Sequence, residues 1–90
     1  MELISVCLTE GMYDQAEGFL KELELQVPAI APQDRNLLKS DIQRAYSVIH
    51  FKRGDIGQAV TDADLAIRLN PNNPAAYAAF VKSENVKWAE

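Results

Sequence analysis

The stretch GDIGQA at residues 54–59 repeats, with changes at three places, the stretch GMYDQA at residues 11–16. The glycine, glutamine and alanine are the same in both, and the third place is apolar in both. The separation of 43 residues also carries Pro28 onto Pro71. A turn glycine, a small residue suited to helix contacts and a helix-ending proline recur in one register, which indicates an internal repeat.

Apolar residues along the rest of the chain follow the helical period of 3.6 residues, and no segment shows the alternation of a strand bounded by turns. The pattern is broken at Gly11, at Gly54 and at the proline-containing stretches 28–32 and 71–74. We therefore predict an all-α fold with helices at about residues 2–10, 12–26, 34–53, 56–69 and 74–88.

The segment NPNNP, residues 70–74, predicts a tight connection between the last two helices. Pro71 disfavours helical backbone at Asn70, so the preceding helix ends there. Asn73 and Pro74 then suit the N-cap and the first position of the next helix.

The third helix carries two apolar stripes, which predicts that it packs on two sides. One stripe contains Leu38, Ile42, Ala45, Tyr46 and Ile49, and its neighbour contains Val48 and Phe51.

The length and the net charge of the chain disfavour several classes of function. Ninety residues of 10.0 kDa predict a single domain, residues 1–90. The net charge of -4 disfavours nucleic acids and anionic membranes as partners, because both attract proteins through a positive field. No uncharged run approaches the length of a membrane span, and Glu2 and Glu10 stand where a secretory signal would be basic. The single cysteine, Cys7, cannot form an internal disulfide, so we expect a cytoplasmic protein.

The second repeated unit resembles the tetratricopeptide repeat (TPR) family. The residues that carry the resemblance are Tyr46–Phe51, Gly54, Asp55, Ala59, Ala66, Leu69, Pro71, Asn72 and Asn73. The resemblance implies antiparallel helical hairpins with small residues where the helices cross, and about five helices in a short right-handed solenoid. The chain departs from the family pattern at four positions. Leu23 lies in the first unit, which is a degenerate repeat, and Gln43, Ser47 and His50 lie in the second.

The separation of 43 residues exceeds the TPR unit of about 34 residues by about nine. Because Pro28 is in register, the extra residues lie after it and lengthen either the loop or the following helix. We expect unit 1 at about 1–28, the insertion at about 29–37, unit 2 at about 38–73 and a capping helix at about 74–90. The capping helix is expected to bury Tyr77, Phe80, Val81 and Trp88 on the second unit.

Signals for catalysis are weak in this sequence. It contains no phosphate-loop, dinucleotide, paired-cysteine or zinc-protease motif. Cys7 and His50 lie 43 residues apart at equivalent repeat positions, and a Cys–His pair can be nucleophilic. Equivalent positions in successive repeats are more simply core positions. We therefore expect no catalytic residue, no metal and no cofactor, with a Cys/His enzyme or metal-binding protein as the rival hypothesis.

The resemblance also implies a binding surface, because the first helix of each TPR unit lines a concave groove. An apolar centre with charged edges suits an amphipathic helix or extended peptide of a partner protein. The alternative is that Val48 and Phe51 simply pack against neighbouring helices. The Asn/Lys clamp of some TPR proteins is absent. The candidate groove residues are Leu8, Arg44, Val48, Phe51, Lys52 and Lys82.

These observations favour a non-catalytic protein–protein interaction module, with a cytosolic chaperone as one form of it. Its size and acidity are similar to those of small TPR-like chaperones of type III secretion, which bind needle or translocator subunits. Alternatively, the chain is an excised part of a longer TPR scaffold. Two and a half units are marginal for a solenoid, so we expect a bound partner protein or a second copy to complete the structure.

Overall fold

The computed structural model describes residues 7–89, which are mostly helical and contain no strand. Residues 7–9 are helical, and a 3-10 turn at Val27–Ala29 lies between the next two helices. The all-α prediction with five helices is confirmed, and the bounds predicted for the last four lie within two residues of those observed. The predicted start of the first helix lies outside the described residues. These four helices are α1 (Tyr13–Gln26), α2 (Pro32–Lys52), α3 (Ile56–Leu69) and α4 (Pro74–Ala89).

The two glycine turns of the repeat have the same backbone structure. Gly11 and Gly54 adopt φ values of 78° and 87°, in the left-handed region that glycine occupies without strain. The N–H of Met12 donates to the Cys7 carbonyl at 2.8 Å, and the N–H of Asp55 donates to the His50 carbonyl at 2.9 Å. Each of these bonds has its counterpart 43 residues away, so the repeat seen in the sequence is also a repeat of hydrogen bonding.

The two turns that contain Pro28 and Pro71 also share a hydrogen bond. The nine extra residues of the repeat come after the first of these turns. The N–H of Ile30 donates to the Val27 carbonyl at 3.1 Å, and the equivalent bond joins Asn73 to Asn70, also at 3.1 Å. After this point α2 begins at Pro32 and continues for 21 residues. Most of the insertion expected at residues 29–37 is therefore helical, and it lengthens the N-terminal end of α2.

The hydrophobic core lies between the first helical residues, α1 and α2. Leu20, Ile42 and Ile49 are the largest apolar side chains buried there, and the small Ala16 and Ala45 fit between them. Leu38 and Tyr46 pack against the same cluster, as the predicted stripe of α2 requires. Burying these side chains is the main stabilising contribution to the α1–α2 contact.

The contact between α2 and α3 is made by small residues. Ala59, Ala63 and Ala66 of α3 are fully buried. The Ser47 hydroxyl donates to the Ala59 carbonyl at 2.7 Å, and the Ser40 hydroxyl donates to the Ala66 carbonyl at 2.6 Å. Side chains this small let the helices approach closely enough for hydroxyl groups of one helix to reach the backbone of the other.

Asn73 caps α4 as predicted and also joins it to α2. Its side-chain oxygen accepts from the Ala76 N–H at 3.2 Å, which satisfies a free donor of the first helical turn. Its amide nitrogen donates to the Ser40 hydroxyl at 3.0 Å and to the Asp41 carboxylate at 3.1 Å. The N-terminal end of α4 is therefore fixed on α2 by a buried polar group that is fully used.

The expectation that α4 buries its large side chains is wrong for three of the four. Trp88 is 76% exposed, and Tyr77 and Val81 are also exposed, whereas Phe80 is half-buried. The face of α4 that packs on the protein carries the small residue Ala76 instead. Trp88 lies about 120° around the helix from Ala76, so it points away from the contact.

Candidate functional site

Four of the six candidate groove residues lie together in a cleft between α2 and α4, which we call the α2–α4 cleft. It is lined by Val48, Phe51, Lys52 and Lys82, together with Ser47, Ala79 and Ser83, and its volume is about 40 Å³. The Lys82 ammonium lies 5.0 Å from the centre of the Phe51 ring, a cation–π contact. A single water occupies about 30 Å³ of liquid, so this cleft has little room for a ligand.

The other two candidate residues are placed elsewhere. Leu8 is a member of the hydrophobic core and is 9% exposed, so its side chain is used in packing. Arg44 is half-buried, and its Nε atom is buried without a hydrogen-bond partner. Neither residue lines the α2–α4 cleft.

A larger groove lies on the other side of α2, between α1 and α3, and we call it the α1–α3 groove. Its volume is about 490 Å³. The floor is apolar, with Val27 and Ile42 buried beneath it and Leu65 and Leu69 along the α3 side. Its remaining lining residues are Glu24, Pro28, Arg35, Lys39 and Gln43.

The groove is formed by the lengthened α2. Arg35, in the inserted segment, donates through Nε to the Ile30 carbonyl and through Nη2 to the Pro28 carbonyl, both at 2.9 Å. These bonds hold the 3-10 turn against the first turns of α2. Within the described chain, α1 and α3 both pack against α2, and no Cα atom of α1 lies within 8 Å of a Cα atom of α3, so the space between them stays open.

The charged residues of the groove lining differ in sign between two helices, with two cations on α2 and one carboxylate on α1. Arg35 and Lys39 lie one helical turn apart on α2, and no carboxylate of residues 7–89 forms an ion pair with either. Glu24, on the α1 edge, interacts with Tyr46. Burial raises the pKa of Tyr46 from 10.0 to about 12, and the nearby charges of Glu24 and Glu17 contribute in the same direction.

Sequence reasoning missed the α1–α3 groove because it assigned binding to the concave face that the TPR resemblance implies. Two signals pointed to the groove. The nine extra residues had to lengthen one side of the molecule, and Leu65 and Leu69 form an apolar pair off the alanine face of α3.

The Cys/His pair of the rival hypothesis is not assembled as a pair. His50 Nδ1 lies 2.6 Å from Asp62 Oδ2, and the other Asp62 oxygen accepts from Gln58 at 2.9 Å. Cys7 is buried, and its Sγ lies 4.0 Å from the Gln15 amide oxygen. Each residue therefore connects its own pair of helices, and no basic side chain of residues 7–89 bonds to the thiol to activate it.

Other chemistry is equally limited in the described chain. Residues 7–89 contain no group of three or more His, Cys, Asp or Glu side chains placed to hold a metal ion. Asp55 caps α3 by accepting from the Gln58 N–H at 3.3 Å, and Asp64 pairs with Arg68 at 3.1 Å. The carboxylates of α3 are thus used one by one in structural contacts.

Comparisons with known proteins identify no relative. No protein-family model matches the sequence, and no curated protein or solved structure matches it either. None of the helices within residues 7–89 combines the length and the apolar character needed to cross a membrane.

Proposed function

We propose that this protein is a non-catalytic protein–protein interaction module whose α1–α3 groove binds an amphipathic helix or peptide of a partner protein. The observation that carries the proposal is the groove itself, an opening of about 490 Å³ with an apolar floor and charged edges. Its volume falls within the range of about 300–1,000 Å³ that is usual for ligand-binding clefts.

The chemistry of the floor favours a partner with apolar side chains. Leu65 is 42% exposed beside Val27 and Ile42, which are already buried. An apolar side chain inserted here would remove Leu65 and Leu69 from water. Such burial stabilises a complex by about 25 cal/mol for each Å² of apolar surface buried. Amphipathic helices present such side chains at intervals of three and four residues.

We assign binding to the α1–α3 groove in preference to the α2–α4 cleft. The cleft holds about 40 Å³, and Lys82 already covers the Phe51 ring there. A helix lying on that face would first have to displace the cation–π contact. The groove needs no such displacement.

The wider form of the proposal is a TPR-like adaptor or chaperone in the cytoplasm. The turn bonds repeated every 43 residues and the small-residue contact between α2 and α3 support a helical-repeat architecture. Cys7 is a free buried thiol, which suits a reducing compartment. The separate structural uses of Cys7 and His50 support a non-catalytic role.

The experiment that tests the proposal is selection from a displayed library of helix-forming 18-residue peptides, followed by binding measurements on variants. We expect Leu65→Asp to abolish binding of the selected peptides, because it places a charge in the apolar floor. Leu37→Asp is the matched control, since Leu37 is also exposed, at 49%, but lies outside the groove lining. Circular dichroism of both variants checks that helicity is retained. A selection without binders, or binders indifferent to Leu65→Asp, would contradict the proposal.

A further inference from the structure

We propose that the segment bound in the α1–α3 groove is an acidic amphipathic helix, with two carboxylates one turn apart beside its apolar stripe. This inference rests on the proposed function and specifies the chemistry of its partner. The carboxylates would pair with Arg35 and Lys39, while the apolar stripe contacts Leu65 and Leu69 across the groove.

The two cations of the groove lining are available to a partner. Arg35 and Lys39 line the same edge, and neither forms an ion pair with a carboxylate of residues 7–89. Arg35 is also held in place, because Nε and Nη2 are bonded to the carbonyls of the 3-10 turn. A cation that is already oriented loses little side-chain entropy on pairing, so it makes a better contact than a free surface arginine.

The charge balance of the groove lining also favours an acidic partner. Glu24 is the only carboxylate among the lining residues, and it interacts with Tyr46. Arg35 and Lys39 outnumber this one carboxylate, so the groove lining has a net positive charge, although the whole chain carries -4. Charges farther away than about 8–10 Å are largely screened at physiological salt, so the contact edge decides the preference.

The spacing of the lining residues also suits a partner helix. Arg35 and Lys39 are separated by four residues on α2, and Leu65 and Leu69 are separated by four on α3. The two residues of each pair thus lie about one helical turn apart, about 6 Å along the helix axis. A partner helix offers the same repeat on its own surface, with apolar residues on one stripe and carboxylates on the adjacent one.

The test uses the displayed library and then the selected peptides in solution. Among peptides that lose binding with Leu65→Asp, we expect Glu or Asp to be enriched at two positions three or four residues apart beside the apolar stripe. Replacing both acids of a selected peptide by Gln is expected to weaken binding about five- to tenfold, because each exposed ion pair contributes modestly.

Variants of the protein identify the cation. Lys39→Glu is expected to lower the affinity for the acidic peptides about five- to tenfold or more. The same variant is expected to raise the affinity for peptides whose acids are changed to Lys. Lys52→Glu is the matched control, because it makes the same charge change on the same helix but in the α2–α4 cleft. We expect less than a twofold effect from it. Arg35 is left unchanged, since its bonds to the turn would be lost with its charge.

The outcomes separate the two proposals. Binders that depend on Leu65 but show no acidic preference, or that are indifferent to Lys39→Glu, would overturn the acidic-helix inference and leave the interaction module standing. Binders lost with Lys52→Glu instead would place the site in the α2–α4 cleft and overturn both. Sedimentation of the protein alone is the last check: a dimer with the exposed α4 side chains Tyr77, Val81 and Trp88 in the groove would make a second copy the occupant and overturn the inference.

Discussion

The α2–α3 and α1–α2 interfaces use different side chains, although α1 and α3 occupy equivalent positions in the 43-residue repeat. Across α2–α3 the fully buried residues of α3 are alanines, and two serine hydroxyls of α2 bond to the α3 backbone. Across α1–α2 the contact is made by larger apolar groups, with Leu20, Ile42 and Ile49 fully buried. One interface is close and partly polar, and the other is filled with large apolar side chains.

Equivalent positions show how the sequence produces this difference. Ala63 and Ala66 of α3 correspond to Leu20 and Leu23 of α1, which lie 43 residues earlier. Leucines at these positions fill the space next to α2, while alanines leave room for a second backbone. The close interface thus depends on small residues, and the α1–α3 groove lies between the two helices that pack against α2.

The largest effect is expected from converting the α1–α2 interface, with its large apolar side chains, toward the small-residue α2–α3 interface. Leu20→Ala removes a fully buried side chain from the core and should lower the free energy of unfolding by about 2–5 kcal/mol, since a cavity forms on top of the lost transfer energy. Urea unfolding followed by circular dichroism measures it.

Leu25→Ala is the matched control for this variant, because Leu25 lies on the same helix and is 83% exposed. Its effect should stay within about 0.5 kcal/mol. A loss from Leu20→Ala as small as that of the control would show that α1 is not held by this core.

The reverse conversion is expected to have the next largest effect. Ala63→Leu introduces a large side chain where α2 and α3 approach closely, and it should cost about 1–3 kcal/mol of unfolding free energy through overpacking. The measurement is the same urea titration. Ala78→Leu on the exposed face of α4 serves as control and should be nearly neutral. Equal stability of Ala63→Leu and the unchanged protein would mean that the α2–α3 contact has room to spare.

The local features of the fold could be predicted from the sequence because they depend on a few neighbouring residues. The φ values of Gly11 and Gly54, the cap at Asn73 and the buried stripe of α2 all follow from backbone sterics, unpaired N–H groups and helical periodicity. The length of the insertion also followed from the repeat arithmetic, although its helical form did not.

The candidate site was less predictable because it depends on which surfaces remain uncovered after packing. Trp88 is large and apolar, and its burial was a reasonable expectation, yet the small residues Ala76 and Ser83 make the contact. Val48 and Phe51 are apolar on the predicted face, but α4 and Lys82 leave only a small cleft beside them. Periodicity identifies an apolar face and does not say whether a neighbour, a partner or water covers it.

A smaller effect should follow from removing one polar contact of the close interface. Ser47→Ala deletes the hydroxyl that donates to the Ala59 carbonyl and should cost about 0.5–1.5 kcal/mol, the usual net contribution of one hydrogen bond. Thr61→Ala is the control, because the Thr61 hydroxyl bonds only to the Gly57 carbonyl of its own exposed turn. If both variants lost the same free energy, the contact between helices would add nothing beyond a local bond.

The smallest effect concerns the titration of Tyr46 of α2, which is influenced by charges on both α1 and α3 and is observed only at alkaline pH. Burial is the main reason that the pKa of Tyr46 is raised from 10.0 to about 12. Smaller contributions in the same direction come from Glu24 and Glu17 on α1 and from the charge of Asp62 on α3. Because the pKa is higher in the folded state, this stabilising contribution is complete below pH 10 and is lost as the pH rises toward about 12.

Absorbance at the phenolate band resolves this transition, with Tyr46→Phe identifying which step belongs to Tyr46. Glu24→Gln should move the Tyr46 midpoint toward its ordinary value, since it removes both a negative charge and a charged hydrogen-bond acceptor. Glu22→Gln, an equal change at an exposed position of α1, should leave the midpoint in place. Were the two variants to shift it equally, the general charge of α1 would be responsible. A shift confined to Glu24→Gln would show that the Glu24 carboxylate itself acts on the Tyr46 hydroxyl.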